Sequence, residues 1–157
     1  MKNELKQELT RRLCECNNGG LVLVMYDIYF GFSEDVKAAL ASNDRAALKK
    51  AVADVQAALD ELIGALDFKY PLAGQLYPLY SYCKRLFSTV LYSLDVSVVD
   101  EADGIMKKLR SSFETAAADD KSAPLMDNAQ KVYAGMTYGR GRLTESFINN
   151  DNRGFLA

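Results

Sequence analysis

Ser81 and Lys84 stand in the Ser-x-x-Lys spacing of serine acyl enzymes, where a lysine one helical turn away assists a serine nucleophile. The companion Ser-Asp-Asn and Lys-Thr-Gly elements are missing, and so short a pattern recurs by chance, so acyl transfer is not expected. The chain contains no histidine. That removes the commonest general base, the triads built on it and the Glu-x-x-His pairs of di-iron bundles. Cys14, Cys16 and Cys83 are odd in number, and the one-residue gap between the first two suits neither a disulfide framework nor a zinc knuckle. They read as reduced thiols. Asp60 with Glu61, and Asp119 with Asp120, read as solvated helix ends rather than acid and base teams. The glycines between Thr137 and Arg142 lack a Walker lysine and follow no strand, so no nucleotide loop is present. These residues imply no enzyme, no metal and no cofactor.

Composition narrows the partners. The 157 residues are 49% hydrophobic and 25% charged, with a formal net charge of -2, an ordinary balance for one globular domain with or without a tail. No concentrated basic face offers itself to nucleic acid or an anionic membrane; Arg140 and Arg142 are offset by as many acids. The longest unbroken apolar run, Leu21 to Tyr26, is far too short to span a bilayer. The opening MKNELKQELTRR lacks the apolar segment of a secretory signal, so the expected location is the cytoplasm.

The elements that position these residues are helical throughout. Leu5, Leu9 and Leu13 recur at spacings of four, which predicts a short helix from about Asn3 to Cys16. Asn17 to Gly20 break it, with Asn18 able to cap the second helix. That long helix is expected over 19–41, with Val22, Met25, Tyr29, Phe32, Val36 and Leu40 on one stripe. Ser42 to Asp44 form a turn, Asp44 capping a third helix whose Leu48, Val52, Val55, Leu59, Leu62 and Leu66 repeat at four and three. After the connection 67–71, Leu72, Leu76, Leu79, Cys83, Leu86 and Val90 continue that spacing on a fourth helix. Pro78 within it predicts a kink or a helix start just before it. A fifth helix begins near Asp95 or Ser97, with Val98, Ala102, Ile105, Leu109, Phe113 and Ala116 facing inward. Short connections make sequential helices antiparallel, giving an all-α, up-and-down four-helix bundle preceded by a short helix, residues 1–118. Residues 119–157, glycine-rich yet apolar, read as a mostly irregular tail that covers its own bundle or a neighbour's.

The long second helix is too apolar for one neighbour: between Leu21 and Phe32 only Asp27 and Gly31 interrupt. A helix apolar on most sides is central in a bundle or partly covered by a partner. The fourth helix adds Tyr77, Tyr80, Tyr82, Phe87 and Tyr92 on more faces than its seam needs. These rings either thicken the core or suit a surface that is wet when free and covered when bound. Taken with the second helix, they favour an apolar groove of the kind that holds an amphipathic partner segment.

In order and spacing, the motifs from Gly20 to Ala116 resemble the flagellin-specific export chaperones, the family called FliS. The Leu-x-Leu-x-x-Tyr-Asp opening appears as Leu21, Leu23, Tyr26 and Asp27, followed by Phe32. Gln56, Glu61, Leu62, Leu66 and Asp67 match the second long helix, and Leu79, Tyr80, Tyr82 and Arg85 match the family's tyrosine signature. Leu109, Arg110, Phe113 and Ala116 match its close. The early Asn-Pro-Tyr segment is absent, Ile28 replaces a glycine, Leu86 replaces a second arginine, and Val90 and Leu91 replace an Ala-Asn pair.

The resemblance implies a non-enzymatic cytoplasmic chaperone that wraps the disordered C-terminal segment of flagellin, prevents its polymerisation and delivers it to the type III export gate. The surplus apolarity places the client on Leu21, Met25, Tyr29, Leu79, Tyr80, Phe87 and Leu91, of which Leu21, Leu79 and Tyr80 also sit in family motifs. Arg85 and Asp27 are expected to anchor the bundle through an ion pair or a cap. The rival expectation is a structural four-helix module whose extra apolar surface closes a homodimer.

Overall fold

The computed structural model describes residues 3–125, which form five helices: α1 (Asn3–Glu15), α2 (Asn18–Ala41), α3 (Arg45–Gly64), α4 (Pro71–Ser93) and α5 (Val96–Ala118). Helix α2 packs against α3 and α5, and α4 packs against the same two, so the four long helices occupy the corners of a square. Their pairings run in opposite directions along neighbours: Asp27 meets Arg110 and Lys37 meets Asp100, while Arg45 meets Leu91 and Asp60 meets Lys84. The architecture is the expected antiparallel bundle, with α1 laid against α2 alone.

Local chemistry fixes the ends. The Asp44 carboxylate accepts from the amides of Ala46 and Ala47, both at 3.0 Å, and Asp95 accepts from Ser97 at 2.8 Å. Asn17 rather than Asn18 caps α2, its side-chain oxygen accepting from Gly20 at 2.9 Å while its amide donates to the Asp120 carbonyl. Gly19 lets α2 begin close beside the end of α5, where a Cβ would meet the Cβ of Ala117 at 3.0 Å. Pro71 opens α4, where its missing N–H costs nothing. Pro78 does not start or end a helix; α4 continues through it, giving up the bond to the Gly74 carbonyl.

The core seam of α4 is Ala73, Leu76, Tyr80, Cys83, Phe87 and Val90, alternating three and four, against Leu48, Val52, Val55, Leu59 and Leu62 of α3. Leu72, Leu79 and Leu86, expected in that seam, lie outside it. Helix α5 is rotated from its expected face: Val99, Ala102, Asp103 and Met106 are buried, while Ala116 is exposed. The rotation follows a buried polar layer. Tyr29 and Ser33 donate to Asp103 at 3.1 and 2.7 Å, and Lys37 reaches it at 2.8 Å. Across the diagonal, the hydroxyls of Tyr26 and Tyr80 meet at 2.6 Å. Every buried side-chain nitrogen or oxygen among the described residues has a partner, as a low-dielectric interior requires. Asp27 joins three helices by pairing with Arg12 at 2.6 Å and Arg110 at 2.7 Å. Arg85 anchors nothing comparable; its guanidinium lies 5.7 Å over the Tyr82 ring.

Of the tail expected over 119–157, Asp119 to Leu125 runs on from α5 without helix or strand, and the amide of Leu125 donates to the Cys16 carbonyl at 3.0 Å. The Asp120 carboxylate accepts from Ser122 and Gly19, which holds it below its usual pKa, so this acid ties the end of α5 to the start of α2. The remainder of that segment, with its expected docking, lies outside the described residues.

Candidate functional site

Two openings in the bundle are lined almost entirely by apolar side chains. One is a cleft of about 570 Å³ between α2 and α3, walled by Leu21, Met25 and Ile28 on one side and Ala58, Gly64 and Ala65 on the other, with Glu61 at its edge. Large side chains face small ones, which leaves a furrow. The second is a pocket of about 270 Å³ at the end of the bundle where the α3–α4 connection passes. Val22 and Met25 of α2, Leu66, Leu72 and Leu76, and Phe113 of α5 line it, and Tyr80 forms part of its wall. Met25 and Ala65 belong to both openings, so the two join into one track.

The lip of the end pocket is aromatic and wet. Phe68 is 64% exposed, Tyr70 67% and Leu72 53%, with Phe68 set edge-on against Tyr77 at 5.9 Å between ring centroids. These exposed apolar groups are clustered rather than scattered singly, the arrangement that contact surfaces have. Beyond the lip, the face between α4 and α5 continues the theme. The Tyr82–Glu101 hydrogen bond and the Cys83–Ala102 contact set the register of the two helices. In that register Leu79 stands level with Ile105 and Leu86 with Val98, all at least partly exposed.

The seven anticipated contact residues divide among five environments. Leu21 and Met25 lie together in the α2–α3 cleft, and Tyr80 lines the end pocket although only 1% exposed, its ring packed inward and its hydroxyl bonded to Tyr26. Leu79, 37% exposed, opens onto the α4–α5 face. Leu91 is partly buried at the far end of α4, roughly 16 Å along the helix from Tyr80. Tyr29 and Phe87 are sealed in the core, edge-on at 6.0 Å, so a partner reaches them only if the bundle opens. The physical reason is topological: α2 and α4 stand on a diagonal, and no groove along the bundle has both as walls. Outside the core, the two come together at the end pocket. Sequence reasoning passed over Phe68, Tyr70, Ile28 and Ala65; the signal available was three large apolar residues within Phe68–Leu72, an unusual load for a connection.

Among the described residues, the apolar track holds no convergent polar groups for chemistry. Lys84 spends its ammonium on both oxygens of Asp60, at 2.6 and 2.7 Å, so it is directed across to α3 rather than at Ser81. Burial pushes the Cys83 thiol up to about 11 and raises the phenols of Tyr26, Tyr29 and Tyr80, which keeps all four neutral inside the core. No helix among the described residues is long and apolar enough to cross a membrane. A family model described as flagellar protein FliS matches residues 1–120, a span that takes in all five helices. No curated protein matches the chain.

Proposed function

Since the chain belongs to the flagellar protein FliS family and so has a flagellar chaperone role, we propose that it holds the C-terminal segment of flagellin on the apolar track. The segment lies in the α2–α3 cleft, crosses the aromatic lip and continues over Leu79 on the α4–α5 face. The chaperone works in the bacterial cytoplasm without catalysis, denies the client's amphipathic stretches to one another and delivers the client to the export gate. The observation that carries this reading is the unbroken apolar lining from Leu21 through Met25 to Leu72, at a bundle end where the helices of the described residues leave it uncovered.

The energetics fit a reversible holder. Each large side chain fully covered contributes about 1.5 to 3 kcal/mol, offset by the cost of ordering a disordered client, about 2 to 5 kcal/mol or more. The test is calorimetric titration of the chain with flagellin C-terminal peptide, beside the Met25→Glu variant. Saturable binding that Met25→Glu weakens at least about tenfold, with the helical circular dichroism intact, supports the track. Equal binding by both proteins refutes it. A dimer that persists in light scattering when peptide is added would favour the rival, a structural module that uses the same surface to pair with itself.

A further inference from the structure

The chain continues past the bundle at the end that bears the apolar track. After α5 it turns back to the start of α2, where the Asp120 carboxylate accepts from the Gly19 amide at 3.0 Å and the Leu125 amide donates to the Cys16 carbonyl at 3.0 Å. This anchor fixes where residues 126–157 depart. Leu21, Val22 and Met25 all lie within roughly 11 Å of the start of α2 along its axis, and Phe113 of the end pocket stands near the close of α5. From Leu125 the chain can reach about 25 Å by Val132 and about 75 Å by Phe147, enough to enter the track and to follow it.

The sequence of this segment suits that surface. Val132, Tyr133 and Met136 form one apolar cluster and Leu143, Phe147 and Ile148 a second, with Gly139 and Gly141 between them. A solvated linker has no use for such side chains. Two apolar clusters on a glycine joint match a track made of two openings that meet at Met25 and Ala65. Charge agrees with this pairing. Lys131 adjoins the first cluster and Arg140 and Arg142 the second, while Glu61 at the cleft edge and Asp67 at the end pocket have no ion pair among the described residues.

We propose that residues 126–157 of this chain occupy the apolar track when no client is present and yield it when one binds, an inference that rests on the track being the client's site. A segment tethered so close meets the track at an effective concentration on the order of millimolar, so a self-affinity of only about 0.1 mM keeps the track covered roughly nine-tenths of the time. A client then binds about tenfold more weakly than it would to the open track. The cover also denies the exposed apolar lip to other copies of the chain.

The test uses the full chain and a full-length variant, Val132→Ser/Met136→Ser/Leu143→Ser/Phe147→Ser, whose changes lie outside the five helices. With its helical circular dichroism unchanged, the variant should bind flagellin C-terminal peptide about tenfold more tightly than the parent. It should also brighten an environment-sensitive apolar dye several-fold more, and adding Met25→Glu should remove that gain. A photo-reactive group at Leu72 of the otherwise unaltered chain, without peptide, should capture residues between 130 and 149 of the same molecule. Equal dye response and equal peptide affinity in parent and variant overturn the proposal, as does capture of none of those residues. Capture between two chains rather than within one overturns it in favour of a second copy as the cover. Capture within one chain, with the dye difference present but peptide bound by neither protein, upholds the cover and removes flagellin as the client, so the two failures are told apart.

Discussion

Replacing Asp103 by alanine should destabilise the bundle by about 3 to 4 kcal/mol, most of it from groups that Asp103 currently satisfies. The carboxylate is 3% exposed and accepts from the Ser33 hydroxyl at 2.7 Å and the Tyr29 hydroxyl at 3.1 Å, both on fully buried residues. Each hydroxyl left without an acceptor costs about 1 to 1.5 kcal/mol. Lys37 loses its 2.8 Å partner but keeps Asp100 at 2.9 Å, so its share is about 1 kcal/mol rather than the larger cost of an orphaned buried charge. Asp103→Asn keeps Oδ1 as the acceptor for both hydroxyls but gives up the charge and the acceptor that Lys37 uses, Oδ2, and should cost about half as much. Urea denaturation followed by circular dichroism at neutral pH measures both. If Asp103→Ala unfolds within about 1 kcal/mol of the parent, or if the asparagine variant is the less stable, the buried layer does not hold α5 as described.

Asp44→Ala removes the acceptor for two amides at the start of α3 and should cost about 1 kcal/mol in the same assay. Stability should be level near neutrality and fall as pH rises above about 9. The Cys83 thiol and the three buried phenols have folded pKa values raised above their unfolded ones, so their stabilisation is present below the unfolded values. It is lost as the pH climbs toward the folded ones. Urea melts from pH 7 to 11 read this directly, and a flat profile to the alkaline end would contradict the burial of these groups. Of the three thiols, Cys14 and Cys83 are buried and Cys16 is partly exposed. A chromogenic disulfide reagent should therefore label Cys16 alone before unfolding and all three after it, whereas fast native labelling of Cys83 would mean that the core opens.

The helices and their direction are legible in the sequence because each carries its own signal. Helix α3 is amphipathic with alternating steps of four and three, and its start is written in Asp44. Helix α2 shows its extent but not its inward face, because α1, α3 and α5 each take a side of it and an apolar residue fits anywhere on such a helix. The face of α5 escapes periodicity for a related reason: Asp103, polar and thus assigned to solvent, is buried by pairing with Lys37, Tyr29 and Ser33, a tertiary arrangement that spacing does not register. The surplus of apolar surface is visible in the sequence, but its location is not. Placing it requires knowing that α2 and α4 are diagonal, which puts Tyr29 and Phe87 inside and leaves Leu21, Met25 and Leu79 on separate faces joined round the bundle's end.

Site-specific photo-cross-linking of flagellin C-terminal peptide tests that geometry most directly, with the reactive group placed in turn at Leu21, Leu72, Leu79 and the solvent-exposed Tyr92 at the opposite end. Cross-links are expected at the first three positions from a single bound peptide and none at Tyr92. Capture at Tyr92 alone, or equal capture at all four, would contradict the apolar track.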